Sequence, residues 1–157
     1  MVFGSSLAEV ALIDNHTVID GGDFREDHYS FAGAYASGIA GTTELSMNTL
    51  TVNGGLFGSE DIFAGAYVDD AENALVSSNK VSVADLVSSF SDAEIYGGYA
   101  EGVESAIATD NVVHIINLAS DEDFLVIGGE ANLYSNEIVA HTLISDSTVS
   151  VLASFDK

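Results

Sequence analysis

The sequence repeats itself. Ile95-Tyr96-Gly97-Gly98-Tyr99-Ala100 is preceded by two versions of the same phrase, Phe31-Ala32-Gly33-Ala34-Tyr35-Ala36 and Phe63-Ala64-Gly65-Ala66-Tyr67-Val68. A worn copy, Val126-Ile127-Gly128-Gly129-Glu130-Ala131, follows. Tyr35, Tyr67 and Tyr99 stand 32 residues apart, and Gly97 and Gly128 stand 31 apart. A fixed period in this range marks a stack of small units, none of which can bury its apolar face alone. No single-residue motif in the chain constrains the fold as strongly.

A second phrase, Asn-x-apolar-x-apolar, alternates with the first. It begins at Asn15, Asn48, Asn79, Asn111 and Asn136, with spacings of 33, 31, 32 and a shortened 25. Turn signals lie between the phrases. Asp20-Gly21-Gly22-Asp23 and Asn53-Gly54-Gly55 are strong ones, and Ser88–Asp92 and Ser120–Asp123 take their place in later repeats. A short third strand precedes each of Asn48, Asn79 and Asn111. Each repeat thus reads strand, turn, Gly-rich strand, polar turn, short strand, Asn.

The absence of Pro and Trp, with abundant Val, Ile, Thr, Phe and Tyr and 15 Gly, favours strands joined by glycine turns. The expected fold is all-β, a parallel β-helix or solenoid of four to five repeats of about 32 residues. The alternative is an antiparallel β-sandwich, which short strands at close spacing also allow. One rung of 32 residues is long, so either the turns bulge or each repeat forms two rungs. Residues 1–13 read as an N-terminal segment or cap, 14–141 as repeats and 142–157 as a C-terminal strand or cap, within one domain.

Parallel in-register stacking places identical side chains about 4.8 Å apart. Three ladders follow. Asn48, Asn79 and Asn111 should hydrogen-bond amide to amide. Tyr35, Tyr67 and Tyr99 should form an aromatic column. Gly33, Gly65 and Gly97 should give a tight corner or room for a neighbouring backbone.

Charge limits the partners. There are 25 acidic residues against Arg25, Lys80 and Lys157, a net of −22. Nucleic acid and anionic membrane surfaces need a basic footprint and are disfavoured. No apolar run is long enough for a spanning helix, so membrane insertion is not expected. Cations, or a cationic partner, are favoured. Acids gather beside the Gly-rich phrases, including Asp61, then Asp69, Asp70 and Glu72, then Asp121 and Asp123. Stacked on neighbouring rungs these carboxylates repel, and Ca²⁺, with its 6–8 oxygen ligands, would relieve that. The competing reading is a solvated acidic edge that discourages aggregation. No EF-hand loop is present.

Catalytic patterns are scarce. With no Cys, thiolate and disulfide chemistry is excluded. His16, His28, His114 and His141 form no metal-binding pair, and no Gly-x-Ser-x-Gly elbow occurs. Asp27-His28 beside Arg25 reads as a surface loop.

The Gly-Gly-Tyr-Ala phrase, a polar turn and the Asn strand together resemble the tandem Tyr-Gly-Gly-Tyr repeats in passenger regions of bacterial autotransporter-like surface proteins. The resemblance covers roughly residues 15–140. It implies an exported, cell-surface β-solenoid used in adhesion, aggregation or display. Two features depart from it: no translocation barrel follows, and the first two phrases carry Ala34 and Ala66 where the third has Gly98. Met1–Ser6 lacks a charged n-region, so an exported protein would be a mature chain here.

The expected function is therefore a non-enzymatic extracellular structural or adhesive repeat protein of a bacterial surface or matrix. Its partners would be itself or a surface glycan or protein. The first alternative is a filament subunit that polymerises through terminal strands such as Leu7–Ile13 or Thr148–Leu152. A carbohydrate-active β-helix enzyme is the other.

Overall fold

The computed structural model describes residues 1–3, 9–25, 30–58, 61–87, 93–119, 124–133, 141–145 and 148–152. Regular structure among them is entirely strand. The first rung is partial: β1 (Val2–Phe3), β2 (Glu9–Ile13), β3 (His16–Asp20) and β4 (Asp23–Phe24). Next come β5 (Ser30–Ser46), β6 (Thr49–Asn53) and β7 (Leu56–Phe57), then β8 (Ile62–Ser77) and β9 (Lys80–Val87). A fourth rung holds β10 (Ala93–Tyr96), β11 (Tyr99–Thr109) and β12 (Val112–Ala119). The last holds β13 (Phe124–Ile127), β14 (Glu130–Leu133), β15 (His141–Ser145) and β16 (Thr148–Leu152).

Among the described residues every pairing is parallel and joins a strand to its copy in a neighbouring rung: Tyr35 with Tyr67, Tyr67 with Tyr99, Leu50 with Val81, Val81 with Val113. The chain is a β-solenoid of parallel sheets, one rung per repeat, and not an antiparallel sandwich. The Gly-rich strand and the short third strand are one long strand in β5 and β8. The polar turn expected between them is a bulged corner, where the register slips between Ile39 and Thr42. Gly38 makes that corner with φ 68°, and its counterpart Asp70 adopts φ 56°.

The interior is divided into two lobes. One is lined by small residues, among them Ala34, Ala36, Ala66, Ala74, Ala100 and Ala106, with Leu45 and Val76. The other holds Leu50, Val52, Phe57, Phe63, Val81, Val83, Ile95, Val113 and Ile115. Phe31 stacks on Phe63 at 5.3 Å and Phe24 on Phe57 at 5.1 Å, and the two columns meet edge to face. Edge-to-face contact between stacked pairs suits the aromatic quadrupole.

The glycine column sits between the lobes. A Cβ on Gly33 would fall 2.8 Å from the Thr49 backbone, on Gly65 2.8 Å from the Lys80 nitrogen, and on Gly97 2.9 Å from the Val112 nitrogen. The Gly-rich strand therefore lies backbone against backbone on the turn that begins at each Asn, and pinches the rung into a waist. Space, rather than a positive φ, demands glycine here. Gly98 has its own cause. The Asn111 amide and Val76 both come within 2.6 Å of where its Cβ would be, so this rung cannot repeat the alanine of the first two.

The Asn ladder lies at the same waist. Asn48 Nδ2 donates to Asn79 Oδ1 (3.0 Å) and to the Leu12 carbonyl (2.9 Å). Asn79 Nδ2 donates to Asn111 Oδ1 (3.0 Å) and to the Leu45 carbonyl (2.9 Å). Each Oδ1 also accepts the backbone N–H of the Asn in the preceding rung, 2.9 Å for Asn48 and 3.0 Å for Asn79. Asn15 extends the ladder, donating from Nδ2 and from its backbone N–H to Asn48 Oδ1. Asn48, Asn79 and Asn111 are wholly buried. The amides of Asn48 and Asn79 use both donors, and Asn111 donates to the Val76 carbonyl, which is what makes that burial tolerable. The residue before each Asn closes the turn in left-handed geometry: Asp14, Met47, Ser78 and Asp110 have φ between 55° and 58°.

At the N-terminal end, β1 and β2 take up the rung register against Ala36–Ser37 and Thr42–Ser46. At the other end, Val112 pairs with Thr148 and Ser105 with His141, a spacing of 36. The repeat therefore continues through β16 instead of breaking at Thr142. The Asn136 phrase lies outside the described residues; the strand that pairs with Val112–Ile116 is Thr148–Leu152.

Gly65→Ala should lower stability by about 3 kcal/mol through overpacking. Asn79→Ala, which strands the buried N–H groups of Asn48 and the Leu45 carbonyl, should cost about 3–5 kcal/mol. Denaturant midpoints of the two variants test both; a loss below about 1 kcal/mol in either would deny the waist its role.

Candidate functional site

The outer side of the Gly-rich strands carries the most developed surface feature. Tyr35, Tyr67 and Tyr99 stack as a column, with centroids 5.8 and 4.3 Å apart and rings within 12° of parallel. Phe31 and Ala34 both face the interior, so the strand changes sides at the waist. That change leaves Ala32 and Ala64 beside Tyr35 and Tyr67. Their small side chains leave a cleft of about 130 Å³, lined also by Ser30, Ile62 and Asp69.

In the next rung the alanine position is taken by Tyr96, which pairs with Ala64. Its ring meets Tyr99 edge-on at 5.3 Å and Tyr67 at 6.4 Å. Tyr96 therefore bounds the alanine row on the C-terminal side. Reading the phrase as Tyr-Gly-Gly-Tyr does not reveal this. Comparing Ala32, Ala64 and Tyr96 position by position does.

Carboxylates hold the phenols. Tyr96 donates its hydroxyl to Glu94 Oε2 at 2.8 Å, and Tyr99 donates to Glu101 Oε2. Ser37 donates weakly to Asp69 at 3.4 Å. Burial first, then the charges of Asp69 and Glu101, raise Tyr67 to about 12. Burial and the bond to Glu94 raise Tyr96 still further. Both phenols stay neutral donors throughout the physiological range.

The acids expected as Ca²⁺ ligands are dispersed. Asp61 is fully buried and accepts the Gly58 N–H at 3.1 Å, closing a turn. Asp69 lines the tyrosine cleft. Asp70 occupies the left-handed corner that Gly38 fills one rung earlier, a conformation Asp adopts more readily than most residues. Glu72 is exposed beside it at the same corner. Asp121 and Asp123 lie outside the described residues. Among the described residues, no group of three or more Asp, Glu or His could hold a metal ion. Several acids share one structural role that spacing alone does not disclose. Asp14, Asp70, Asp85 and Asp110 all sit at positive φ, and Asp85 follows Ala84, the register partner of Asn53, as Gly54 follows Asn53. A repeat that exchanges Gly for Asp at one position is the signal for it.

Of the remaining candidates, Arg25 is exposed and clamps Asp23 through two bonds of 2.6 and 2.8 Å, which hold that carboxyl below its usual range. Asp27 and His28 lie outside the described residues. His16 approaches Asp14 at 3.2 Å on the exposed N-terminal edge.

The chain matches no protein-family model, no curated protein and no solved structure.

An unfolded tyrosine ionises near pH 10. Tyr67 holds its proton to about 12 when folded, so the unfolded chain loses that proton first. The contribution of Tyr67 to stability is complete below about pH 10 and falls as pH rises towards about 12. Ultraviolet titration should show late-ionising phenols, one fewer of them in Tyr67→Phe, together with a shallower loss of stability across that interval.

Proposed function

We propose that this chain is a non-enzymatic adhesive and structural module of an extracellular bacterial surface or matrix, with the tyrosine cleft as its contact surface for glycans. The observation that carries this reading is the cleft itself: an aromatic wall of Tyr35 and Tyr67, an alanine floor, and polar groups from Ser30 and Asp69. A concave, largely apolar site with a few placed polar groups suits a small ligand unit. Stacked rings offer apolar contact, and Asp69 and Ser30 offer partners for sugar hydroxyls. The net charge of −22 favours neutral or amino sugars over acidic ones. The waist and the Asn ladder keep the rings in register, so little ordering cost remains at binding. Extracellular placement rests on the resemblance of the repeated phrase to passenger-region repeats.

The reading is tested on an array of bacterial and host surface oligosaccharides. Wild type should retain a subset of neutral or amino-sugar glycans, and Tyr67→Ala should weaken that retention about tenfold, equivalent to about 1.4 kcal/mol. Failure of the intact protein to retain any glycan, or retention indifferent to Tyr67→Ala, would refute it.

A second reading is a subunit that polymerises end to end. It is favoured by the two ends of the five-stranded sheet, where β3 and β16 are edge strands of the same stack. Sedimentation velocity over a wide concentration range tests it: mass should rise with concentration, and one constant small species removes the idea.

A further inference from the structure

The tyrosine cleft is small, and it carries a carboxylate. Its volume of about 130 Å³ is well under the roughly 300–1,000 Å³ of sites that enclose a whole small molecule, so it admits one group of a ligand. Ala32, Ala64 and Ile62 make it apolar, Tyr35 and Tyr67 give it aromatic sides, and Asp69 supplies its charge. The rings of Tyr35 and Tyr67 are 5.8 Å apart, against 4.3 Å for Tyr67 and Tyr99. The column is therefore more open where the cleft lies.

Asp69 differs from the other acids of this face in what it holds. The phenols of Tyr96 and Tyr99 donate to Glu94 and Glu101, each two residues away in its own strand or turn. Asp69 stands two residues after Tyr67, but its hydrogen bond comes from its register partner Ser37, which donates only weakly at 3.4 Å. Among the described residues no Lys, Arg or His lies within ion-pair reach of Asp69. Arg25 is taken by Asp23, and Lys80 belongs to β9 in the other large sheet. A half-buried carboxylate beside apolar and aromatic groups is thus short of a counter-charge. After burial, the charges of Asp69 and Glu101 are what raise the Tyr67 phenol, so the potential at the cleft is negative.

We infer that the cleft selects a protonated amine, and that its ligand is an unacetylated amino sugar whose ammonium group sits on Asp69. The inference rests on the glycan reading and narrows it to cationic sugar units. An ammonium group meets both chemistries present. It donates charge-assisted hydrogen bonds to the carboxylate, and a cation beside a tyrosine ring is attracted by the ring quadrupole. The apolar residues keep water away from both contacts, which strengthens them. Ser30 is left as a partner for a ring hydroxyl. Acetylation removes the charge and makes the nitrogen a bulkier, neutral amide, which leaves Asp69 without its counter-charge.

The test titrates the intact protein, by calorimetry, with a tetramer of β-1,4-linked glucosamine and with its fully N-acetylated counterpart. The amine form should bind at least about tenfold more tightly. Asp69→Asn keeps the shape of the side chain and should bring the two forms within about twofold, with the melting temperature nearly unchanged. Glu72→Gln removes the same charge at the neighbouring corner, outside the cleft, and should leave the preference intact. That comparison separates contact with Asp69 from attraction to the acidic chain as a whole. Equal binding of the two tetramers, weakened in both by Tyr67→Ala, overturns the inference and leaves the glycan reading standing. Equal effects of Asp69→Asn and Glu72→Gln overturn the inference as well. Methylammonium that binds as tightly, per amine, as the tetramer overturns the assignment to a sugar, and the glycan reading with it. Binding of neither tetramer overturns both.

Discussion

Backbone meets backbone at the waist of three successive rungs, and the contact leaves no space for a side chain. Gly33, Gly65 and Gly97 lie on the turns that begin at Asn48, Asn79 and Asn111. The rest of the cross-section follows from this. Two layers of peptide pressed together exclude water, so polar groups at the waist need partners within the stack. The Asn amides supply them: Asn48 and Asn79 each use both donors and accept twice, and Asn111 accepts twice and donates to the Val76 carbonyl. The waist also separates the interior into lobes of different width. Alanine fills the narrow lobe, while Phe, Ile and Leu fill the wide one.

The two halves of each rung therefore work under different rules. In the wide lobe, columns tolerate exchange among large apolar residues, as in Phe31, Phe63, Ile95 and Val126. In the narrow lobe, volume is tightly limited, and neighbouring rungs adjust together. Gly98 replaces alanine where Asn111 and Val76 crowd its position. On the outside, packing is relaxed and the columns diverge, so that alanine at 32 and 64 gives way to Tyr96. The cleft on this face is thus a product of irregularity in an otherwise regular stack.

Much of the architecture was readable from spacing. Tyr35, Tyr67 and Tyr99 at equal intervals, with the Asn positions between them, imply in-register parallel stacking. Both ladders are present as that spacing predicts. What stayed hidden was whatever depends on how a rung bends in cross-section. Spacing along the chain does not say that β5 is one bulged strand, because Gly38 reads as turn and as strand equally well. Nor does it say that Asp70 and Asp85 are corner residues. An acid at a left-handed position looks the same in sequence as an acid offered to a cation. The C-terminal register is hidden because Asn136 fits the local pattern, while the pairing of Val112 with Thr148 depends on contacts distant in the chain. Tyr96 reads as part of a motif, although its role arises from what its column partners lack.

The winding of the chain has a mechanical consequence. Successive rungs are consecutive in sequence and are joined only through the ladder to their neighbours. A pull on one terminus therefore loads the outermost rung alone, across its row of parallel bonds, before the next one bears any force. The solenoid would pay out its length in steps, each freeing one repeat of 32 residues, or about 110 Å of extended chain. Each step must break an Asn link and open a waist. The glycine and asparagine columns thus act as evenly spaced catches along a coiled tether.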